Sequence, residues 1–177
     1  MNLDAICTGT LYLPDKAVPS GTSPVMLADG RQIAQVQWHF WTVRSRFEIL
    51  DPLGSVLAQG GSQGAISRRY PVQTPAGRTL VDIKLGLWRP ISGAVITLSN
   101  GTVISVKRTS LWSDRNFEFS SGGRPVGRIS PTTGVFTFHP DSYAFELSAP
   151  VMSALEAIGL AQVLRAVVRA SRKRDST

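Results

Sequence analysis

The stretch of residues 149–168 constrains the fold most, because apolar side chains follow one another there with hardly a polar face. Val151, Met152, Leu155, Ile158, Leu160, Val163, Leu164, Val167 and Val168 spread around a helical wheel, and Glu156 lies nearly opposite Gln162, Arg165 and Arg169. A helix of this kind has no stripe to turn toward water and needs apolar surroundings all round. A bilayer accepts about 20 largely apolar residues, and a protein core accepts a helix wrapped by other elements. Glu156 and Arg165 are costly inside a span, so the sequence predicts a buried axis, with Glu156 partly hydrated at a barrel opening or paired with an arginine. Its start is expected near Ser148-Ala149-Pro150, since proline is tolerated in a first turn. Arg165, Arg169, Arg172, Lys173 and Arg174 crowd its far end, where cations meet the negative end of the helix dipole.

The preceding residues read as strands that could wrap such a helix. In residues 33–41, Ala34, Val36, Trp38 and Phe40 alternate with Gln35, Gln37 and His39, the period of a half-buried strand. Val43, Ser45, Phe47 and Ile49 then oppose Arg44, Arg46 and Glu48, and Asp51-Pro52-Leu53-Gly54 forms a turn into Val56-Leu57-Ala58. Val81, Ile83, Leu85 and Leu87 alternate with Asp82 and Lys84. Asn100-Gly101 separates two apolar runs, the strongest short-range hairpin signal. Ser121-Gly122-Gly123-Arg124-Pro125 and His139-Pro140-Asp141 mark two more hairpins. Residues 18–31, with Pro19, Gly21 and Pro24, read as an early loop, and Gly60-Gly61-Ser62-Gln63-Gly64 as a flexible connection. Together these segments amount to about twelve short strands, the pattern of a sandwich or barrel.

A length of 177 residues suits one domain. The single Cys7 excludes an internal disulfide framework and fits a reducing compartment, and Met1-Asn2-Leu3-Asp4 does not resemble a secretory leader. A cytoplasmic protein, peripheral to the inner membrane face, is the expectation. The net charge of +7 favours anionic partners.

Catalytic chemistry finds little support. His39 and His139 stand outside metal-ligand spacing. Cys7 has no local base, and the glycines of residues 60–64 lack the Gly-Lys-Ser/Thr ending of a phosphate-binding loop. Asp82, Glu118 and Glu146 are dispersed over separate strands. No cofactor and no enzymatic activity are expected. Arg44, Arg46, Arg68, Arg69, Lys84, Lys107 and Arg108 lie in or beside β segments that folding could merge into one anionic-ligand surface, where the planar fork of arginine suits phosphate. Surface solubility and cross-strand pairing with Glu48 and Asp82 account for the same residues equally well. Trp38, Trp41, Trp88 and Trp112 suit core packing, base stacking or interfacial anchoring, with packing the default. The primary expectation is a non-enzymatic module for anionic lipid headgroups or a membrane surface. A nucleic-acid-binding protein on the same basic surface and an enzyme with a hidden pocket are the alternatives; protein partners and oligomeric state stay open.

Three stretches carry a family resemblance. Arg46-Phe47-Glu48-Ile49-Leu50-Asp51-Pro52-Leu53-Gly54-Ser55-Val56 forms an early hairpin, and Phe117-Glu118-Phe119 through Arg124-Pro125-Val126-Gly127-Arg128-Ile129 a later one. Tyr143-Ala144-Phe145-Glu146-Leu147, leading to Met152-Ser153-Ala154-Leu155, completes the order. From Gln32 onward the chain resembles the tubby C-terminal-like superfamily, especially its LURP-one-related and phospholipid-scramblase-like branch. The resemblance implies a mainly β fold: a closed antiparallel barrel of about twelve strands around the apolar C-terminal helix. It also implies one tubby-like domain over residues 1–177, with the loop at 18–31, the central helix at 150–171 and a basic tail at 172–177. Tubby proteins recognise phosphoinositides through basic surface residues and scramblase-like members associate with membranes. No acidic loop here resembles the calcium-binding loop of scramblases.

Overall fold

The computed structural model describes residues 2–14, 21–39, 46–62, 68–86, 91, 93–109, 116–132 and 142–175, with side chains as far as Ala170. Its strands are β1 (Gly9–Pro14), β2 (Thr22–Leu27), β3 (Gln32–His39), β4 (Arg46–Leu50), β5 (Val56–Gly61) and β6 (Arg69–Gln73), followed by β7 (Thr79–Lys84), β8 (Val95–Leu98), β9 (Val103–Arg108), β10 (Phe117–Ser121), β11 (Arg124–Pro131) and β12 (Ser142–Leu147). Each strand pairs antiparallel with its neighbours in sequence, and β1 pairs with β12, so the sheet closes as a twelve-stranded barrel. The helix α1 (Ala154–Asp175) follows.

The turn chemistry explains the regularity. At Leu27, Asp51, Thr74 and Leu98 the same loop recurs: a glycine three residues on donates its N–H to the first residue's carbonyl at 3.0, 3.1, 2.9 and 3.0 Å. Gly101 has φ +82°, a left-handed conformation that costs glycine nothing, while no other residue type takes positive φ among the described residues. The Asn100-Gly101 turn is therefore a three-residue loop with the glycine in the bulge position rather than a two-residue turn. Asn100 Oδ1 supports it by accepting from Thr102 N at 2.9 Å. These four turns and the Gly122-Gly123 turn lie at one end of the barrel, which we call the mouth. The opposite strand ends form the rim.

Alternation fills the interior. Val36, Trp38, Phe47, Ile49, Ile83, Ile96, Ile104 and Phe119 are all buried. A barrel of this strand number is too wide for wall side chains alone to fill. The helix fills it: every residue from Ala154 to Leu164 is buried, three turns in succession. It lies closest to β4–β7. A Cβ on Gly159 would stand 2.9 Å from a Val72 methyl, and one on Gly60 2.5 Å from the Phe47 ring, so both positions need the missing side chain. The opposite wall carries bulk instead, with Phe119 and Phe145 stacked at 5.1 Å. Among the described residues no helix is long and apolar enough to cross a membrane.

Four expectations need correction. Residues 18–31 are not all loop, because Thr22–Leu27 form β2. Pro24 is tolerated there because β2 meets β1 only through Met26 and Leu27, leaving no ladder on that side for the absent N–H. Gly60 and Gly61 belong to β5. The helix begins at Ala154, not residue 150, and runs through residues 172–175 of the expected tail. Ser153 and Glu156 set that start as a reciprocal capping box: Ser153 N donates to Glu156 Oε2 at 2.8 Å, and Glu156 N donates to Ser153 Oγ at 3.2 Å. Glu156, expected at a hydrated opening or beside an arginine, is 4% exposed and takes its remaining bonds from Ser99 N at 3.0 Å and Ser99 Oγ at 2.7 Å. The expected His139-Pro140-Asp141 hairpin tip and Trp41, Trp88 and Trp112 lie outside the described residues.

Candidate anionic-ligand surface

The topology brings the described basic candidates to one end. Arg46 opens β4 and Arg69 opens β6, while Lys84 closes β7 and Lys107 and Arg108 close β9, so all five stand at the rim with Arg68 beside them. Arg44 lies outside the described residues.

Their surroundings differ. Arg46 donates to Gln59 and lies 3.7 Å from Glu48, whose carboxylate also lies 3.2 Å from His39 Nε2. Arg108 is half-buried, in register with the buried Phe117. Lys107 stands opposite Glu118, which stands opposite Arg128, which stands opposite Glu146, a row of alternating charge across β9–β12. Arg128 binds Glu146 through two bonds of 3.0 Å. That pairing holds the guanidinium pKa above its ordinary value. A groove of about 460 Å³ runs along this row, and its mixed charge does not single out an anion.

Arg68, Arg69 and Lys84 form the compact cluster. Arg69 and Lys84 are register partners on the outer face, and Leu85 N donates to Arg68 O at 2.8 Å, holding Arg68 beside them. Asp82 takes both of its short contacts from Arg69 Nε, at 2.8 and 3.0 Å. Those contacts raise the Arg69 pKa above its usual value. Arg68 and Lys84 are exposed and have no charged partner among the described residues. A single acid against three cations leaves a positive surplus at this point of the rim. Lys107, on β9, lies across β8 from Lys84, roughly 12 Å away by strand spacing.

The helix adds to this end. Twenty-two residues span roughly 33 Å, longer than the wall, and continuous burial stops at Leu164. Its last turns therefore project past the rim, carrying Arg169, Arg172, Lys173 and Arg174. Arg165 anchors the exit by donating to Pro14 O at 2.8 Å and lying 5.8 Å from the Trp38 ring centroid. Beneath it, Gln162 accepts from Trp38 Nε1 at 3.2 Å and donates to Tyr143 Oη at 3.1 Å, satisfying a fully buried amide. Sequence reading identified the two basic sets separately and missed that they share one end. Hairpin parity carried that signal, because each strand cation sits a strand length away from a glycine turn.

Among the described residues no group of three or more His, Cys, Asp or Glu is arranged to hold a metal. No protein-family profile and no curated protein matches the chain in sequence. A crystal structure of an Arabidopsis thaliana protein, AT5G01750, matches in fold with a TM-score of 0.61 and 13% identity over 94% of this chain and 95% of that one. The likeness extends over nearly all of both chains, and it is one of architecture.

Proposed function

We propose that this chain is a tubby-like domain of the LURP-one-related, scramblase-like branch, and that it works as a non-enzymatic module for anionic phospholipid headgroups. The closed barrel around a C-terminal helix supports the family reading. The carrying observation for function is the shared placement of exposed Arg68 and Lys84, with Arg69 between them, at the end where the basic helix turns project. A planar anionic surface could meet both sets at once, at the cytoplasmic face of a membrane.

Each exposed Lys or Arg held near an anionic leaflet contributes about 1 kcal/mol. The double variant Arg68→Ser/Lys84→Ser is therefore expected to weaken co-sedimentation with phosphatidylserine-containing vesicles by roughly thirtyfold. Binding is expected to fall with added salt, since exposed charges are screened beyond about 8 Å at physiological ionic strength. The charge-matched variant Arg31→Ser/Arg78→Ser, at the mouth, leaves retention unchanged. Equal losses in both variants would reduce the effect to net charge, and preference for duplex DNA over vesicles would replace lipid with nucleic acid as ligand.

A further inference from the structure

The two ends of the barrel carry different surfaces. Ile6, Leu53, Val56 and Val103, four of the five large apolar side chains exposed among the described residues, lie at or beside the mouth. Only Val95 stands nearer the rim. The mouth is also balanced in charge, with Asp4, Asp29 and Asp51 against Arg31, Arg78 and Arg124 among the described residues, in a chain of net charge +7. Two copies meeting rim to rim repel, while two mouths do not.

Leu53, at the tip of the β4–β5 turn, is 93% exposed. That exposure is fixed by the turn. Asp51 Oδ1 accepts from Leu53 N at 2.9 Å and Ser55 N at 2.8 Å, Gly54 N donates to Asp51 O at 3.1 Å, and Gln35 Nε2 donates to Pro52 O at 3.2 Å. A turn held in this way presents its leucine already ordered, which lowers the entropy lost on contact. Beside it a cavity of about 370 Å³ opens at the mouth, bounded by Asp51 and Pro52 of the same turn and walled by Leu3, Ile33, Leu57 and Leu155. A projecting leucine and an apolar hollow are thus neighbours on one surface.

We propose that the mouth is the interface of a two-fold dimer of this chain, in which Leu53 of each copy enters the hollow of the other. An isologous contact needs a patch that complements itself, and a second copy supplies both a hollow for Leu53 and a leucine for the hollow. The mixed charge of the mouth fits the same arrangement, because acids of one copy can face arginines of the other. The area is adequate. Twelve strands close the ring; at a spacing of about 4.8 Å and a tilt of about 40° it is roughly 24 Å across, and side chains widen its end to about 700 Å². A standard interface takes about 800 Å² from each partner, so a reversible dimer of modest affinity is expected. Its two rims face away from each other, and the inference stands apart from the lipid reading.

Sedimentation equilibrium of the full chain from low to high micromolar concentration tests it, and a monomer–dimer equilibrium is expected. Leu53→Ser, at an almost fully exposed position, is expected to weaken the dimer at least tenfold, since each copy withdraws a leucine from water on association. Its thermal unfolding, followed by circular dichroism, should match that of the native chain. Leu53→Met keeps an apolar side chain and is expected to dimerise as the native chain does, and Arg68→Ser/Lys84→Ser leaves the dimer intact. A chain that stays monomeric throughout overturns the proposal. So does a dimer that keeps its affinity in Leu53→Ser, loses it in Leu53→Met, or dissociates in the rim variant.

Discussion

At the mouth, Glu156 is bonded to Ser99 and Ser153 and is 4% exposed; at the rim, Arg68 and Lys84 stand in solvent. The same helix joins the two. Its first turn is fixed by a cap that also grips the β8–β9 turn, and its last turns leave the barrel carrying cations. A buried charge must be satisfied within the fold, whereas an exposed charge is available to something outside it. Polar residues at the mouth should therefore govern stability, and those at the rim should govern binding.

Removing the helix tests both ends at once. A chain ending at Ala149 loses the filling of its barrel, exposes the inward faces of twelve strands, and is expected to aggregate. A soluble truncation with a cooperative thermal transition would show that the wall stands without its axis. Glu156→Ala is the next largest effect. It strands Ser99 N and Ser153 N without partners, and lost bonds to a charged group cost about 1.5 to 3 kcal/mol each. A fall of roughly 3 kcal/mol in urea unfolding is expected, with vesicle binding of the folded fraction unchanged.

The rim should give the reverse result. Arg68→Ser/Lys84→Ser is expected to shift unfolding by less than about 0.5 kcal/mol while vesicle retention falls, and a stability loss like that of Glu156→Ala would erase the contrast. The smallest effect is expected at Cys7, which precedes β1 and whose N–H donates to Met152 O at 3.1 Å. Burial pushes its thiol pKa up, so less thiolate is present at a given pH than in the unfolded chain. Alkylation by iodoacetamide at mildly alkaline pH should run several-fold slower in native protein than in urea. Equal rates would mean that the segment before β1 opens faster than the reagent reacts.

Local sequence determined a great deal. Alternation at Ala34, Val36 and Trp38 and the glycine turns at Gly54 and Gly101 specified strands and hairpins, because period and turn conformation depend on neighbouring residues alone. The unbroken apolar run specified a helix surrounded on every side. Ser153 and Glu156 also spelled its start, although the proline at residue 150 drew the expected boundary forward. Pro24 similarly concealed β2, since a proline is acceptable only where no partner strand asks for its N–H, and that partner is set by the ring. Other features depended on closure. The union of Arg68, Arg69 and Lys84 with the helix exit, the Asp4–Arg78 ion pair and the fit of Gly159 against Val72 join residues far apart in sequence. Only the antiparallel order of the twelve strands, closed by β1 against β12, decides which of them share an end, because that is a property of register around the whole barrel.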